Sequence, residues 1–309
     1  MIKIEQISSE DALLQNYNLF IVASGFEKRA TLQGEKYSGH ANRKIALAFN
    51  NERDDVVRLQ NDEIFHERGF EPIILDGEET DYDVLKKIIQ ESFKTKQSEL
   101  NIYIDYSSMT KNWYAYILYF IKNSKKIMSI SITFGYSHAK YLKYDGKDAL
   151  NRVVSPLIGY CNINIPSKPT ALIICAGNEP NRVYGIKDYF DAEPYLFYTD
   201  SSFNIEYHEE TQSANIDLLS EIKQDNIIRF PVYDLMYTNN ILENLCKSLI
   251  NKFRIIIAPC GPKPFALLSM IISLNYEGEI EIWRISPGDG VSKTDREPEG
   301  LITCLKVIF

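Results

Sequence analysis

The sequence predicts an α/β fold: two tandem Rossmann-like, doubly wound, mostly parallel sheets, related as a degenerate internal repeat. Three observations lead there. Apolar runs of strand length alternate with longer runs of helical periodicity. The chain has 309 residues, long for one compact domain and comfortable for two. A set of turn residues in the first half recurs, in kind, in the second.

The first unit is expected over residues 1–150. A short strand at 2–4 and a polar linker precede the first strong strand, 18–24, where Gly25 permits a tight turn. Residues 26–32 open a helix, and 44–49 form the second strand. Residues 54–68 have helical periodicity, with Val56, Val57, Leu59, Ile64 and Phe65 as the expected apolar side. A third strand at 71–75 and a helix at 82–93 follow. The run Ile102 to Ile104 suits a strand covered on both faces, ending at Asp105. Residues 113–121 are too continuously apolar for a surface strand and long enough for a buried helix. A fifth strand at 128–134 ends in Gly135-Tyr136-Ser137-His138.

Residues 151–168 read as a connector, punctuated by Ser155-Pro156, Ile165-Pro166 and Lys168-Pro169. The second unit, 169–309, then repeats the order. Strands are expected at 170–176, 194–198, 227–232, 254–258 and 279–284, with helices at 216–222, 239–251 and 265–274. Residues 301–309 close the chain as an edge strand.

Composition narrows the function classes. The chain is 45% hydrophobic and 25% charged, ordinary for a soluble protein. A formal net charge of -8 argues against an extended nucleic-acid-binding face while leaving room for a local basic pocket. No apolar run approaches a membrane span and the N-terminus lacks a signal-peptide pattern, so a cytoplasmic location is the expectation. Cys161, Cys175, Cys246, Cys260 and Cys304 form no CxxC pair, and His40, His66, His138 and His208 show no ligand spacing. No metal or cofactor is expected. Most of the 20 tyrosines read as core and sheet-face residues. The signatures GxxxxGK(S/T), GxGxxG after the first strand, HExxH and GxSxG are all missing.

The chemistry concentrates at turns that follow strands, the edge where open α/β sheets bind ligands. One such turn contributes Ser24, Gly25, Glu27 and Arg29; another contributes Asp105, Ser107, Ser108, Thr110 and Lys111. Arg29 and Lys111 are candidates to hold a phosphate, with the serines and backbone N–H groups completing its cradle. The competing role for Glu27, Arg29 and Lys111 is a solvated ion-pair group on the rim. For Ser107 or Ser108 it is a helix cap, and for Asp105 an inward-facing structural acid that caps the neighbouring turn. The second unit places Gly177, Glu179, Asn181 and Arg182 beside Cys260, Gly261 and Lys263. Pro259, Pro262 and Pro264 stiffen that turn, which suits a rigid site or a plain structural corner. Cys260 has no His at an expected partner position, and no residue is assigned a catalytic role. Residues 286–296 form a polar loop, a lid carrying Lys293 and Arg296 or an ordinary surface loop. Tyr136 is a candidate to stack on a base, and His138 a general acid–base or a surface histidine.

The stretch Asp105-Tyr-Ser-Ser-Met-Thr-Lys111 resembles the CRISPR-associated Rossmann-fold (CARF) sensor domains. Those carry a strand ending in Asp, a Thr/Ser-Gly-Gly-Thr-Lys-like turn and an apolar helix. Asp105, Ser107, Thr110 and Lys111 match; Ser108 and Met109 replace the glycines, and the second unit keeps Gly261 and Lys263. The resemblance implies a pocket for a cyclic oligonucleotide or related nucleotide, in a prokaryotic antiviral defence system. Members usually carry an added effector domain, for which the two expected units leave no room in this sequence. The leading reading is thus a nucleotide-binding sensor or regulatory protein acting through a protein partner or a homodimer. The alternatives are a nucleotide-processing enzyme (a metal-independent phosphodiesterase of ring-nuclease kind, or a glycosyl-bond hydrolase) and a non-catalytic scaffold subunit.

Overall fold

The protein's structure, a computed structural model, describes residues 1–94, 99–124, 129–144, 151–162, 167–180, 182–202, 204–286 and 294–309. It divides into two compact units, Met1–Lys140 with Lys293–Phe309, and Tyr141–Ser292.

The first unit contains β1 (Lys3–Ile7), α1 (Ser9–Leu13), β2 (Tyr17–Ser24), a 3-10 turn at Lys28–Ala30 and α2 (Leu32–Tyr37). It continues with β3 (Ala41–Phe49), α3 (Val56–Glu67), β4 (Glu71–Leu75), α4 (Tyr82–Ser92), β5 (Glu99–Asp105), α5 (Lys111–Asn123) and β6 (Ser129–Ala139). The last strand of the chain, β13 (Pro298–Ile308), completes its sheet. The second unit contains β7 (Val153–Pro156), β8 (Thr170–Cys175), α6 (Arg182–Phe190), β9 (Glu193–Thr199), α7 (Ile205–Ala214) and α8 (Ile216–Glu221). Then come β10 (Ile227–Phe230), α9 (Leu235–Leu249), β11 (Arg254–Pro259), α10 (Lys263–Asn275) and β12 (Ile280–Ser286).

Among the described residues the strand orders are β1-β13-β6-β5-β2-β3-β4 and β10-β9-β8-β11-β12-β7. Read from the same end, the two sheets share one plan. Five parallel strands run β4-β3-β2-β5-β6 in the first and β10-β9-β8-β11-β12 in the second. An antiparallel strand follows in each, β13 against β6 and β7 against β12. The doubly wound α/β expectation therefore holds. Its physical basis is that the central strands are buried on both faces: Leu19 to Val22, Ile102 to Ile104 and Leu172 to Ile174 are all sealed from solvent. The helix α5, expected to be buried, and α10 both pack nearly all their apolar residues inside.

Four expectations need correction. Residues 301–309 do not edge the second sheet; β13 lies inside the first, between β1 and β6, with Cys304, Leu305 and Val307 fully buried. The edge on that side is β1, whose Lys3 and Glu5 supply the charges that discourage edge-to-edge pairing. The connector 151–168 is not only a linker, because β7 pairs antiparallel with β12. The unit boundaries consequently fall near 140 and 293, not at 150 and the chain end. Finally, α3 buries only part of the expected apolar side: Phe65 is inside, but Val56 is 69% and Leu59 54% exposed, and Arg58 and Asn61 face inward. The turn after β2 requires those polar side chains. The start of the expected strand at Met128, the Ile165-Pro166 pair, Asn181 and the loop residues 287–293 lie outside the described residues.

The position of β13 is directly testable. Leu305→Ala should destabilise the protein by about 2–5 kcal/mol in a urea titration, the usual cost of truncating a fully buried leucine. A leucine on a free edge would change it by no more than about 0.5 kcal/mol.

Candidate functional site

In each sheet the strand order reverses between the first strand and the strand that follows the crossover, β2/β5 in one unit and β8/β11 in the other. At such a reversal the following loops part and leave a crevice at the carboxyl edge. The predicted site residues of each unit fall on these loops.

In the first unit the loops are fastened by a buried guanidinium. Arg29 is 6% exposed, and its fork donates five hydrogen bonds. Nε and Nη2 go to the two oxygens of Glu27 at 3.1 and 3.0 Å. Nη1 goes to the Tyr136 hydroxyl at 3.1 Å and the Ser137 carbonyl at 3.2 Å. Nη2 also reaches the Ser107 carbonyl at 3.0 Å. Burial alone would lower the guanidinium's pKa, but the Glu27 carboxylate and the Tyr136 hydroxyl raise it, so it stays charged. With every N–H spent internally, Arg29 ties three segments together and is not the phosphate-gripping arm, nor the solvated rim residue, that the sequence suggested.

The neighbouring candidates divide the same way. Ser107 is sealed: its hydroxyl donates to Asp105, whose carboxylate also accepts the Ser107 amide at 2.9 Å. That hydroxyl accepts from Gln33 at 3.1 Å and from the Ser137 amide at 2.7 Å. Asp105 therefore has a structural role, bracing the turn that it opens. Ser24 is equally committed, donating to Asp62 at 2.7 Å and accepting from Arg58 at 3.0 Å. A Cβ on Gly25 would stand 2.8 Å from a Glu52 oxygen, so a larger residue there would displace the carboxylate that accepts the Phe26 amide. Asn61 on α3 donates to the carbonyls of Gly25 and Glu27 at 2.8 and 3.0 Å, which explains its inward orientation. Ser108, Thr110 and Lys111 remain at the half-buried lip of the crevice. Ser108 donates to Glu27 at 2.7 Å. Thr110 and Lys111 open α5, which has neither a side-chain cap nor an acid in its first turn.

Sequence reasoning missed Gln33. It sits buried on α2, linking the Tyr103 hydroxyl at 2.7 Å to Ser107 and Ser137. Nothing in its local pattern marks it; only the tertiary fold brings its three partners together. His138 is not at the surface: it is buried, with Nε2 2.6 Å from the Thr303 hydroxyl. Burial, aided by the Arg29 charge, pushes its pKa down to about 3. Of the tail loop, Asp295 accepts the Lys28 amide at 2.9 Å and the Arg296 carbonyl accepts the Arg29 amide at 2.9 Å. Lys293 lies outside the described residues.

The second unit repeats the arrangement with different occupancy. Gly177 follows β8, and a Cβ on it would touch the Cys260 carbonyl at 3.4 Å, so the two loops are in contact. Glu179 is ion-paired with Arg182, whose Nη2 donates to the Ile285 carbonyl of β12 at 3.0 Å. Gly261 admits no side chain, because a Cβ would lie 2.6 Å from both the Ala176 carbonyl and the Cys175 sulfur. Cys260 is half-buried and hydrogen-bonds through its amide to the Cys175 carbonyl at 3.0 Å. Lys263 opens α10, which has Pro262 at its cap position and no acid in its first turn. Beside Asn178 an open groove of about 720 Å³ is lined by Glu206, Glu209, Glu210 and Asp217, acids that would repel a phosphate. Among the described residues no cluster of His, Cys, Asp and Glu is arranged to hold a metal ion, and no helix is long and apolar enough to cross a membrane.

No protein-family model matches the chain, and no curated protein matches it. Among solved structures, a short-chain dehydrogenase from Shigella flexneri aligns over 94% of this chain and 97% of its own, at 10% identity and a TM-score of 0.22. A phosphoethanolamine N-methyltransferase from Haemonchus contortus, in complex with phosphoethanolamine and S-adenosylhomocysteine, aligns over 97% of this chain and 90% of its own, at 8% identity and a TM-score of 0.24. Scores this low carry no inference about shared function, and the fold class rests on strand order and direction.

Two consequences can be measured. Arg29→Met leaves the half-buried Glu27 without its guanidinium and should cost up to about 3–5 kcal/mol of stability, with part recovered in Arg29→Met combined with Glu27→Gln. Stability should also fall with acid through His138. Its folded pKa of about 3 lies below the ordinary 6.5, so the unfolded chain binds the extra proton first. Its contribution is complete above pH 6.5 and is lost as pH falls toward 3, by at most about 1.4 kcal/mol per pH unit. Comparing wild type with His138→Gln by denaturant titration from pH 7 to 4 isolates that slope.

Proposed function

We propose that the protein is a nucleotide-binding sensor or regulator whose ligand sits at the carboxyl edge of its Rossmann-like sheets. One observation carries the reading. The helix that follows each reversal point, α5 and α10, begins with a lysine and has neither a side-chain cap nor an acidic first turn. Helix N-termini carry partial positive charge and outward-facing N–H groups, and a lysine beside them adds to the attraction for an anion. By contrast, α1, α3, α7 and α9 are closed by Ser8, Asp55, Asn204 and Asp234. Finding an uncapped, lysine-bearing start at both reversal points supports a phosphate-bearing ligand. The likeness of Asp105-Tyr-Ser-Ser-Met-Thr-Lys111 to CARF turns extends the proposal to cyclic oligonucleotides and a role in antiviral defence. The output passes to a protein partner or a second copy of the chain.

The test is a thermal-shift panel of mono-, di- and cyclic oligonucleotides on wild type, Lys111→Ala and Lys263→Ala. A ligand at 100 times its dissociation constant adds about 2.7 kcal/mol to the folded state, enough for a melting shift of a few degrees. The expected result is such a shift in wild type, reduced in at least one lysine variant. No shift with any nucleotide would sink the sensor reading in favour of a scaffold subunit. Appearance of cleaved products would move it to a nucleotide-processing enzyme.

A further inference from the structure

The groove of the second unit, about 720 Å³ in volume, is bordered by α7, the start of α8, residues 141–144 and the loop after β8. Glu206, Glu209 and Glu210 recur at i, i+3 and i+4, so they share one face of α7, and Asp217 follows at the start of α8. Lys143 is the one base in the lining.

Glu210 is already spent. One of its oxygens accepts the Tyr144 amide at 2.9 Å and the other accepts from the Asn178 side chain at 2.6 Å. That carboxylate thereby ties both walls to α7. Asn215, between α7 and α8, fastens the same loop by donating to the Gly177 carbonyl at 2.9 Å and to the Thr211 carbonyl at 2.8 Å. The hollow is therefore preformed. Glu206, Glu209 and Asp217 differ from Glu210, because no ion pair with a described residue neutralises them. Their chain neighbours Ile205 and Ile216 are 60% and 66% exposed, and Ile216 lines the groove together with Tyr141, Tyr144 and Pro180. Apolar surface bordered by uncompensated acids is complementary to a partner that brings both apolar and basic side chains.

We propose that this groove docks an extended segment of a partner protein that carries lysines or arginines alternating with apolar residues. The role of that partner as the output rests on the nucleotide-sensor reading; the groove's charge and shape do not. Charge selects the occupant. Acids turn away nucleic acid, and a second copy is disfavoured because the chain carries a net charge of -8 and would meet these acids with more of the same sign. The stretch from Glu206 to Ser213 rises about 10 Å along α7, so one small cation would meet one or two acids and leave the others exposed to each other. An extended segment presents alternate side chains to one face, which lets successive basic residues follow the row while the apolar ones cover Ile216 and the tyrosines. Asn178 is a groove wall and lies next to Gly177 of the reversal loop, so docking and a ligand at the carboxyl edge would act on the same loop.

The probe is a fluorescent peptide, Lys-Leu-Lys-Leu-Lys-Leu-Lys, titrated by polarisation into the full chain without nucleotide, with the glutamate-for-lysine peptide as control and spermine as competitor. The lysine peptide should bind wild type and the glutamate peptide should not. Glu206→Gln combined with Glu209→Gln should weaken binding roughly tenfold, and Ile216→Ser should weaken it by at least about threefold. These side chains are exposed, so the variants should fold, and Glu63→Gln combined with Glu67→Gln removes the same charge from the first unit as a reference. An equal loss in that reference variant means general attraction to an acidic protein and overturns the proposal. So does an absence of binding, or binding unchanged in both groove variants. Spermine binding as tightly as the peptide, with Ile216→Ser without effect, assigns the groove to small polyamines and overturns it too. Groove failure with nucleotide-induced melting shifts intact leaves the nucleotide reading standing. Peptide binding that follows the groove variants, with no nucleotide shift in any protein, upholds the groove and removes the sensor reading.

Discussion

A buried guanidinium cannot remain charged inside a protein unless acceptors surround it, and Arg29 gathers its acceptors from separate parts of the first unit. Glu27 comes from its own loop, Ser107 from the turn between β5 and α5, and Tyr136 and Ser137 from the end of β6. Its amide reaches the Arg296 carbonyl just before β13. Each segment is thereby held at a distance set by a planar fork, which a lysine's single ammonium would not reproduce. The rest of the carboxyl edge follows from this fixed point. With its carbonyl on the guanidinium, Ser107 aims its hydroxyl back at Asp105, Gln33 and the Ser137 amide. Ser108, Thr110 and Lys111 are left at the lip of the crevice.

The same strand plan is completed in the two units by antiparallel strands from opposite directions along the chain. In the second unit β7 precedes the parallel strands, whereas in the first β13 comes after the whole second unit. The first sheet therefore depends on pairing residues near 130–139 with residues near 298–308, a contact of high sequence separation. Closing so long a loop is entropically costly and is repaid only when Cys304, Leu305 and Val307 are buried. The second unit has all its strands within one continuous segment and no such dependence.

These two features also mark the limit of what the sequence disclosed. Parallel strands such as β2, β5, β8 and β11 were legible because burial on both faces leaves an unbroken apolar run. The helices α5 and α10 were legible because such a run continues for helical length. The partner of a strand is another matter: β13 is apolar wherever it sits, and only pairing with β6 and β1 places it. On α3, periodicity picked out Val56 and Leu59, yet the inward face belongs to Arg58 and Asn61, because their acceptors lie on a loop 34 residues and more away in sequence. The site was legible as a set of residue types at strand ends. Whether each was spent or available was not, since Arg29 and Arg182 look alike in sequence and differ in the number of acceptors the fold brings to them.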